Sequence, residues 1–485
     1  MTRELRRLWI VVLAMFLALF AATSWIQVVR ADELAANSAN TRALYDSYQV
    51  QRGAIIAGGT AIASSVPSDD VYSFQRVYTD PEMWAPVTGY INPMLGSATG
   101  IEQAMNSVLS GTSGSQFLQR IEQIISGQKP RGSNVVLSLD PVVQRAAYDA
   151  LGDLQGAVIA IEPATGRILA MVTSPSFDTN LLAQHDSGAV NAVYDQLEAD
   201  PLHPLYNRAI GGNLNPPGST FKLVVASAAL ASGKYTPQST FPNPASWQLP
   251  QSTDFVHNAS GGACGAGETV TLADALRYSC NIPMAMLAVE LGDRAIREEA
   301  EKYGFNADFE IPLTVTPSTY PQALDDPQTA LTGFGQGDVR ATPLQMALVS
   351  AGIANDGVVM NPRMIDRVLG PNLLVQESFD DTEFGRALST EDAETMTQMM
   401  VANVSNGAAA GARIDGIAVA GKTGTAENGP TDPYTLWFTG FAPAENPQVA
   451  VAVVLENGAG HGQQGGSDRY ASPIGKAVME AVLNR

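Results

Sequence analysis

Two short stretches of this chain combine residue types that together perform acyl transfer. Pro217–Lys222 places a hydroxyl, Ser219, three residues before an amine, Lys222, and Gly421–Ala426 supplies a second cation, Lys422, much farther along the chain. Where a helix begins, residues i and i+3 share one face, so we expect the Lys222 amine to reach the Ser219 hydroxyl and remove its proton. Without such a base, serine is a poor nucleophile.

The Ser-x-x-Lys spacing is weak evidence by itself, because Ser126–Lys129 shows it in a plainly polar stretch. A Ser-x-Asn run is no more specific, since Ser38–Asn40 matches it. Ser219 is distinguished by three motifs that follow one another in order along the chain. They are Ser219–Lys222, Ser279–Asn281 and Lys422–Gly424, and Lys-Thr-Gly occurs only once in the sequence. The ordered set therefore predicts a single active site.

These motifs, their order and their separations resemble those of the penicillin-binding proteins and serine β-lactamases, and class B penicillin-binding proteins most of all. Gly156–Val172 resembles the family's first hairpin, and Gln51–Ile56 resembles its N-terminal Arg-Gly motif. Gly335–Gly337, followed by Thr342–Pro343, gives further support. The resemblance runs from about residue 135 to the C-terminus. The family's Asp-x-Asn-Gly continuation after Arg-Gly is replaced by Ala57–Thr60. Length and acidity are most similar to the actinobacterial penicillin-binding protein A group.

The resemblance implies a role for each motif residue. Ser219 would be acylated, and Lys222 would act as base in its neutral form, because burial and the charge of Lys422 would lower its proton affinity. Ser279 would relay a proton to the leaving amine. Asn281 would hold the substrate amide and Lys222. Helix capping is the ordinary alternative for Ser279 and Asn281.

The third motif would bind the free carboxylate of the donor peptide. Lys422, Thr423 and Thr425 would contact that carboxylate, and Gly424 would let the strand approach it closely. The backbone N–H groups of Ser219 and Thr425 would form the oxyanion hole. A threonine that faces solvent from a strand is the alternative for Thr423 and Thr425.

The reaction that the resemblance implies is D,D-transpeptidation. Ser219 would be acylated by a stem peptide ending in D-Ala-D-Ala, and an amine on a neighbouring peptidoglycan strand would resolve the ester. β-Lactams would be covalent inhibitors. The region of about 100 residues ahead of the catalytic domain is short for the glycosyltransferase domain of class A relatives. By analogy, the partners would be a membrane-embedded glycan polymerase and division or elongation proteins.

Other functions remain open. A D,D-carboxypeptidase or endopeptidase would resolve the same ester with water. A β-lactamase or a membrane-bound β-lactam sensor would keep the same motifs, although no Glu-x-x-Leu-Asn run lies between Asn281 and Lys422 to activate a deacylating water. A non-enzymatic scaffold would have lost a motif residue, and all are present here.

The N-terminus predicts a membrane anchor. Leu8–Val29 is almost uninterrupted in its apolar character, is preceded by Arg3, Arg6 and Arg7, and exceeds the roughly 7 to 15 apolar residues of a secretory signal. We expect a short cytoplasmic tail, one membrane span and an extracytoplasmic catalytic domain. Cleavage near Ala21–Ala22, which would give a secreted form, is the alternative.

Charge and histidine content exclude several classes of function. The formal net charge is −20 and the sequence pI is about 4.5, which argues against a nucleic-acid partner. The four histidines lie at positions away from the motifs and lack metal-ligand spacing, so we expect neither a Ser-His-Asp triad nor a metal or other cofactor. They are His185, His203, His257 and His461.

Cys264 and Cys280 are the only cysteines. Both fall in the part expected outside the cell, so a disulfide is plausible, with two buried thiols as the alternative. A bridge would close a loop of about 15 residues, for which chain entropy predicts roughly 3 kcal/mol of stabilisation. It would brace the loop that carries Ser279 and Asn281.

Segments rich in glycine, proline and other residues that interrupt helices and strands divide the chain into three parts. These are a tail and anchor (1–30), a smaller dimerisation-like pedestal domain (31–132) and a transpeptidase domain (133–485). In the pedestal we expect a Gly-Gly hairpin over Ile55–Ile62, a helix over Ser115–Ser126 and a linker over Gly127–Ser133. In the catalytic domain we expect an α+β (α/β) fold: one antiparallel sheet flanked by helices, and an all-helical lobe over about Ser219–Ile353. The predicted elements outside the lobe are a helix from Asp140 to Gly152, a hairpin over Gly156–Val172, strands Ile417–Thr425, Leu436–Phe441 and Val449–Leu455, and a closing helix Ala471–Leu483.

Overall fold

A computed structural model of the 485-residue chain describes residues 2–30, 34, 50–70, 72–92, 95–113 and 131–485. The predicted helix over Ser115–Ser126, most of the predicted linker, and the Ser126–Lys129 and Ser38–Asn40 motif matches lie outside these ranges. The helices of the described part are α1 Thr2–Ser24, α2 Pro81–Thr88, α3 Gly100–Ala104, α4 Asn106–Leu109, α5 Pro141–Leu151, α6 Thr179–Ala183, α7 Ser187–Ala199, α8 Lys222–Ala231, α9 Leu272–Arg277, α10 Ile282–Leu291, α11 Asp293–Lys302, α12 Asp326–Thr332, α13 Pro343–Ala354, α14 Thr390–Asn406 and α15 Ser467–Leu483.

The strands form two larger sheets and several two-stranded ones. They are β1 Ile55–Ala57, β2 Thr60–Pro67, β3 Phe74–Tyr78, β4 Ile91–Asn92, β5 Ser97–Ala98, β6 Asn134–Leu137, β7 Gly156–Ile161, β8 Ile168–Ser174, β9 Thr240–Pro242, β10 Ser246–Gln248, β11 Phe255–His257, β12 Thr269–Thr271, β13 Val358–Met360, β14 Ile365–Leu369, β15 Val375–Ser378, β16 Glu383–Arg386, β17 Ala420–Ala426, β18 Thr435–Ala442 and β19 Val449–Leu455.

The N-terminal helix is long and apolar enough to cross a membrane. Helix α1 continues into a short π-helical turn, Trp25–Val29, and its side chains pack against no other part of the described chain. Arg3–Val29 meets the length and composition of a membrane span. The apolar helix predicted from the sequence is therefore present.

The pedestal is built on a six-stranded sheet in the order β15-β14-β6-β1-β2-β3. The predicted Gly-Gly hairpin is confirmed: β1 and β2 pair antiparallel around Gly58 and Gly59, which both have positive φ. Strands β14 and β15 come from the C-terminal half of the chain and pair onto β6. Pedestal and catalytic domain thus share one continuous sheet.

The arginine of the Arg-Gly pair is part of a buried charge cluster in the pedestal. Arg52 Nη2 lies 2.8 Å from Glu102 Oε2, and Arg76 Nε lies 2.6 Å from Glu102 Oε1. All three side chains are almost fully buried, so one carboxylate pairs with two guanidinium groups that water hardly reaches. Arg52 therefore has a structural role in the interior of the pedestal.

The catalytic domain contains the predicted antiparallel sheet, in the order β17-β18-β19-β7-β8. Helices α5 and α15 cover one face and α13 covers the other. The predicted first helix is confirmed, with Asp140 as N-cap accepting from the N–H groups of Val142 and Val143. The hairpin β7–β8 is confirmed as well.

The structure differs from the sequence predictions in the lobe, which was expected to be all-helical, and in the starts of one strand and one helix. The lobe between Ser219 and α13 carries two short sheets, β9 with β12 and β10 with β11, besides its helices, and α13 packs on the central sheet. Strand β17 begins at Ala420, because Ile417 N–H closes a turn onto Ile414. Helix α15 begins at Ser467, one turn before the predicted start at residue 471.

Candidate active site

Ser219 lies in a 3₁₀ turn, Gly218–Phe221, that leads directly into α8, whose first residue is Lys222. In a 3₁₀ turn residues i and i+3 eclipse one another, so Ser219 and Lys222 lie on the same face, as the spacing predicts. Two contacts hold the approach to this turn. Trp437 Nε1 donates to Pro216 O (2.9 Å), and Gly218 N–H donates to Gly335 O (3.0 Å).

The Gly218–Phe221 turn is called the nucleophile turn, after the predicted role of Ser219. Two glycines let this turn and strand β17 meet at backbone distance. A Cβ on Gly424 would lie 2.7 Å from Pro217 O and 3.0 Å from Thr220 N, and a Cβ on Gly218 would lie 2.8 Å from Thr425 O. That Gly424 lets the strand approach a substrate carboxylate closely stays a prediction. The side on which a Cβ would project faces the nucleophile turn, so the missing side chain allows the strand to pack against that turn.

Lys222 is fully buried and held by the second motif. Its Nζ donates to Ser279 O (2.7 Å) and to Asn281 Oδ1 (2.8 Å), and it lies 3.4 Å from Ser279 Oγ. Among the described residues, the expected hydrogen bond from Lys222 Nζ to Ser219 Oγ is absent. The amine instead donates to the second motif.

A left-handed backbone conformation presents Ser279 to both lysines. Ser279 has φ +61°, which is unusual for a residue with a side chain. Its neighbour Cys280 forms a disulfide with Cys264 on the preceding loop. Asn258 Oδ1 accepts from the N–H groups that follow, those of Asn281 (2.9 Å) and the next residue.

The side chain of Asn281 turns towards Lys222 and away from the role of a cap. Asn281 occupies the N-cap position of α10, yet it makes no side-chain capping hydrogen bond. Besides accepting from Lys222, it donates through Nδ2 to His257 O (3.0 Å). One of the histidines that we considered remote from the motifs therefore contacts the second motif through its carbonyl group.

Lys422 completes the cluster from β17. Its Nζ donates to Ser279 Oγ (2.7 Å) and to Thr423 O (2.9 Å). Burial lowers the pKa of Lys422 to about 7, and burial together with the charge of Lys422 holds the pKa of Lys222 well below its ordinary value. Both causes match those expected from the sequence, so Lys222 can be a neutral base near neutral pH.

The hydroxyls of the third motif are engaged with the protein. Thr423 Oγ1 donates to Ala408 O (3.0 Å). Ser467 Oγ donates to Gly424 O (2.5 Å), so the 2.7 Å contact between Thr425 and Ser467 requires Thr425 to be the donor. A carboxylate entering here would need these hydroxyls to rotate.

Several contacting residues were missed by sequence reasoning. Ser467 at the start of α15 and Asn258 on the lobe belong to no motif, and a short polar residue ahead of a helix reads as an ordinary cap. The Gln336 amide, in the orientation that satisfies both of its ends, pairs with the N–H and C=O of Glu427 (3.1 Å each). This pairing joins the Gly-Gln-Gly segment to the end of β17.

The three motifs thus meet in one cluster: a serine on a tight turn, two buried amines of lowered pKa, and a hydroxyl between them. Such a group can deprotonate an alcohol and return the proton to a leaving amine. Within the described ranges, no group of three or more His, Cys, Asp or Glu side chains is arranged to hold a metal ion.

Comparison with known families agrees with this geometry. Residues 156–480 match the penicillin-binding protein transpeptidase domain, and residues 52–135 match the penicillin-binding protein A dimerisation domain. The second match ends within β6, the strand shared by pedestal and catalytic domain.

The similarity to individual relatives extends over the whole chain. The peptidoglycan D,D-transpeptidase PbpA of Mycolicibacterium smegmatis is 41% identical, with 100% of this chain and 99% of that protein covered. The peptidoglycan D,D-transpeptidase MrdA of Haemophilus influenzae is 30% identical over 80% of this chain and 62% of its own length. Penicillin-binding protein A of Mycobacterium tuberculosis, solved as a ceftriaxone acyl-enzyme complex, superposes with a TM-score of 0.88 at 39% identity, covering 90% of this chain and 100% of that one. The chain belongs to the penicillin-binding proteins that carry a transpeptidase domain.

Proposed function

We propose that this protein is a peptidoglycan D,D-transpeptidase that acts through an acyl-enzyme on Ser219. The observation that carries the proposal is the convergence of the three motifs. Lys222 Nζ contacts Ser279 and Asn281, and Lys422 Nζ contacts the same Ser279 hydroxyl at 2.7 Å. Relatives with 41% and 30% identity bear the name peptidoglycan D,D-transpeptidase.

In the first half-reaction, Ser219 Oγ attacks the carbonyl carbon of the penultimate D-Ala of a stem peptide, and neutral Lys222 takes the hydroxyl proton. The N–H groups of Ser219 and Thr425 stabilise the oxyanion. When the C–N bond breaks, the proton passes by way of Ser279 to the leaving terminal D-Ala. Asn281 holds the substrate amide. Lys422, Thr423 and Thr425 bind the terminal carboxylate.

In the second half-reaction, an amine of a neighbouring stem peptide attacks the ester carbonyl. The amine loses a proton to Lys222, the C–O bond to Ser219 breaks, and the serine regains its proton. The product is a cross-linked peptide, and no cofactor enters the balance. A β-lactam follows the first half-reaction, but its opened ring stays attached to Ser219.

The N-terminal helix supports a position at the membrane. We assign 1–30 to a cytoplasmic tail and single-pass anchor, 31–132 to the pedestal and 133–485 to the catalytic domain on the extracytoplasmic side. Glycan polymerases embedded in the same membrane and division or elongation proteins are the partners that fit this arrangement. The formal net charge of −20 argues against a nucleic-acid partner.

The proposal is tested with the full-length protein in detergent micelles, a lipid-linked or soluble donor stem peptide, and an acceptor amine. Cross-linked product that depends on the acceptor supports transpeptidation. Release of D-Ala with no cross-linked product at any acceptor concentration would assign the protein to the carboxypeptidases, and rapid turnover of penicillin would assign it to the β-lactamases.

The chain offers a matched control for the nucleophile. Ser219→Ala removes the proposed nucleophile, whereas Ser126→Ala removes the serine of the other Ser-x-x-Lys run. We expect the first variant to lose both product formation and labelling by fluorescent penicillin, and the second to retain both. The reverse result would assign the reaction to a different serine.

A further inference from the structure

A cavity of about 530 Å³ lies between the pedestal and the catalytic domain, outside the cluster around Ser219. One wall comes from α2, α3 and the residues beside them, including Tyr90, Thr99 and Gln103. The opposite wall comes from the end of β8, from α7 and from the segment that precedes the nucleophile turn, including Phe177, Tyr194 and Tyr206. Its volume lies in the range of sites that enclose small ligands.

The lining of this cavity is uncharged. None of the residues that form it is Asp, Glu, Lys, Arg or His, although the chain carries a formal net charge of −20. A phosphate, a nucleotide or a peptide carboxylate would find no counter-charge there, and neither would a free amine. The occupant that fits the lining is therefore a neutral molecule.

Aromatic rings and free polar groups share this lining. Tyr90, Phe177, Tyr194 and Tyr206 contribute rings, and rings of this kind offer an apolar body with a polar tip. In the part of the chain that the structure describes, the side-chain polar groups of Tyr194, Tyr206 and Gln103 have no hydrogen-bond partner. Two hydroxyls and one amide are thus free to donate and to accept.

We propose that this cavity binds a short neutral glycan, a segment of N-acetylated sugar units. The apolar faces of sugar rings pack against aromatic side chains, and their hydroxyl and acetamido groups pair with hydroxyls and amides. A ligand with hydroxyl and amide groups can pair with these free polar groups, whereas a purely apolar ligand cannot. The proposal rests on the proposed function, because the stem peptides that the enzyme would cross-link are attached to such a glycan.

The position of the cavity relates it to the catalytic centre. Asn207 lies in the wall and donates through Nδ2 to Pro86 O (2.8 Å), which joins the two domains. The next residue, Arg208, donates to Glu456 (3.2 Å), and Asn215 donates to the same carboxylate (3.3 Å) just ahead of the nucleophile turn. A glycan in this cavity would lie against the segment that leads to that turn.

The experiment measures binding of N,N′,N″-triacetylchitotriose to full-length protein in detergent micelles by saturation-transfer difference NMR. Cellotriose, which lacks acetamido groups, and the cationic deacetylated trimer are the comparison sugars. We expect the acetylated trimer to bind and the cationic trimer not to bind. The absence of saturation transfer to the acetylated trimer at about 10 mM overturns the proposal, because a site with a Kd of about 1 mM would be almost fully occupied at that concentration.

Two single substitutions in the cavity test whether the sugar binds there. Tyr206→Ala and Gln103→Ala each remove one free polar group, and we expect each to weaken binding about tenfold, or 1.4 kcal/mol. Leu374→Ala changes an exposed side chain between β14 and β15 that does not line the cavity, and it should leave binding unchanged. Equal binding by wild type and both cavity variants assigns the sugar to another surface and overturns the proposal.

The same variants separate this proposal from the proposed function. Penicillin labelling of Tyr206→Ala and Gln103→Ala should match wild type, because neither residue contacts the cluster around Ser219. Loss of glycan binding with labelling retained supports the cavity assignment in a folded protein. If wild type binds the glycan but is not acylated, the proposed function fails and the cavity site remains.

Discussion

Lys422 Nζ and Ser279 Oγ lie 2.7 Å apart, which connects the third motif to the second through a single hydroxyl. The same hydroxyl lies 3.4 Å from Lys222 Nζ. Two buried amines therefore share one small polar group. Burial lowers the pKa of both amines, and the charge of Lys422 lowers the pKa of Lys222 further, so the cluster favours a neutral Lys222.

This relationship predicts the pH dependence of acylation. An amine is a base only when it is uncharged, so the rate should rise with pH through the pKa of Lys222. Lys422→Gln removes a positive charge that lowers this pKa, so the rising limb of the plot of acylation rate against pH should move to higher pH. At a fixed pH below the limb, the rate falls about tenfold for each pH unit of displacement.

The measurement is the second-order rate constant of penicillin labelling between about pH 5 and pH 9, a range that brackets the pKa of Lys422, which is about 7. The effect should be largest on the acid side, where Lys422 is charged. Lys234→Gln, at an exposed lysine, is the control. A limb at the same pH in Lys422→Gln and wild type would show that the two amines are not coupled.

Ser467 should matter for the reaction although it belongs to no motif. Ser467→Ala leaves Gly424 O without its donor and Thr425 without its acceptor, and an unsatisfied buried group costs about 1–3 kcal/mol. We expect the apparent affinity for penicillin to fall about tenfold, with a smaller change in the limiting acylation rate. Ser467→Thr keeps the hydroxyl and should restore most of the affinity. Wild-type affinity in Ser467→Ala would contradict this role.

The disulfide should support both stability and catalysis. It links Cys264 to Cys280, beside a Ser279 whose φ is +61°. Replacing both cysteines with alanine should lower the free energy of unfolding by about 3 kcal/mol and slow acylation, because the strained backbone loses its brace. Urea unfolding and penicillin labelling measure the two effects. Dithiothreitol should reproduce them in wild type and leave the double variant unchanged; unchanged labelling in the double variant would separate the bridge from catalysis.

Gly424 should tolerate no side chain. A methyl group there would meet Pro217 O at 2.7 Å and Thr220 N at 3.0 Å, so Gly424→Ala should push β17 away from the nucleophile turn. We expect penicillin labelling to fall by about two orders of magnitude, as it does when an oxyanion donor is displaced. Gly385→Ala is the matched control, because Gly385 also lies in a strand and a Cβ there meets nothing within 4 Å. Equal labelling by the two variants would contradict the packing argument.

The sequence predicts those parts of this fold that depend on local pattern. The hairpin around Gly58 and Gly59, the helix capped by Asp140 and the apolar strands of the central sheet all follow from turn residues, caps and periodicity. The three motifs also predict residues that the structure brings together, because Lys222, Ser279, Asn281 and Lys422 contact one another.

Contacts that join distant segments could not be predicted in the same way. Asn258 and Ser467 reach the motifs from a loop and a helix terminus, and nothing in their local sequence differs from an ordinary turn or cap. The early start of α15, which places Ser467 beside Thr425, has no strong local signal either. The pairing of β14 with β6 depends on tertiary contacts across more than two hundred residues.

The expected hydrogen bond between Ser219 and Lys222 shows a further limit. The spacing predicts both residues on one face, and the 3₁₀ turn confirms that placement. The spacing does not reveal that Lys222 donates to Ser279 O and Asn281 Oδ1. Competition between partners is decided by the whole cluster, which local pattern does not contain.

Peptide mapping by mass spectrometry after reaction with penicillin shows which side chain is acylated. We expect full-length wild type to gain the mass of one opened β-lactam on the peptide that contains Ser219. Ser219→Ala, folded as judged by its unfolding midpoint, should gain none. An adduct on another side chain, or an adduct that persists in Ser219→Ala, would rule out Ser219 as the acylated residue.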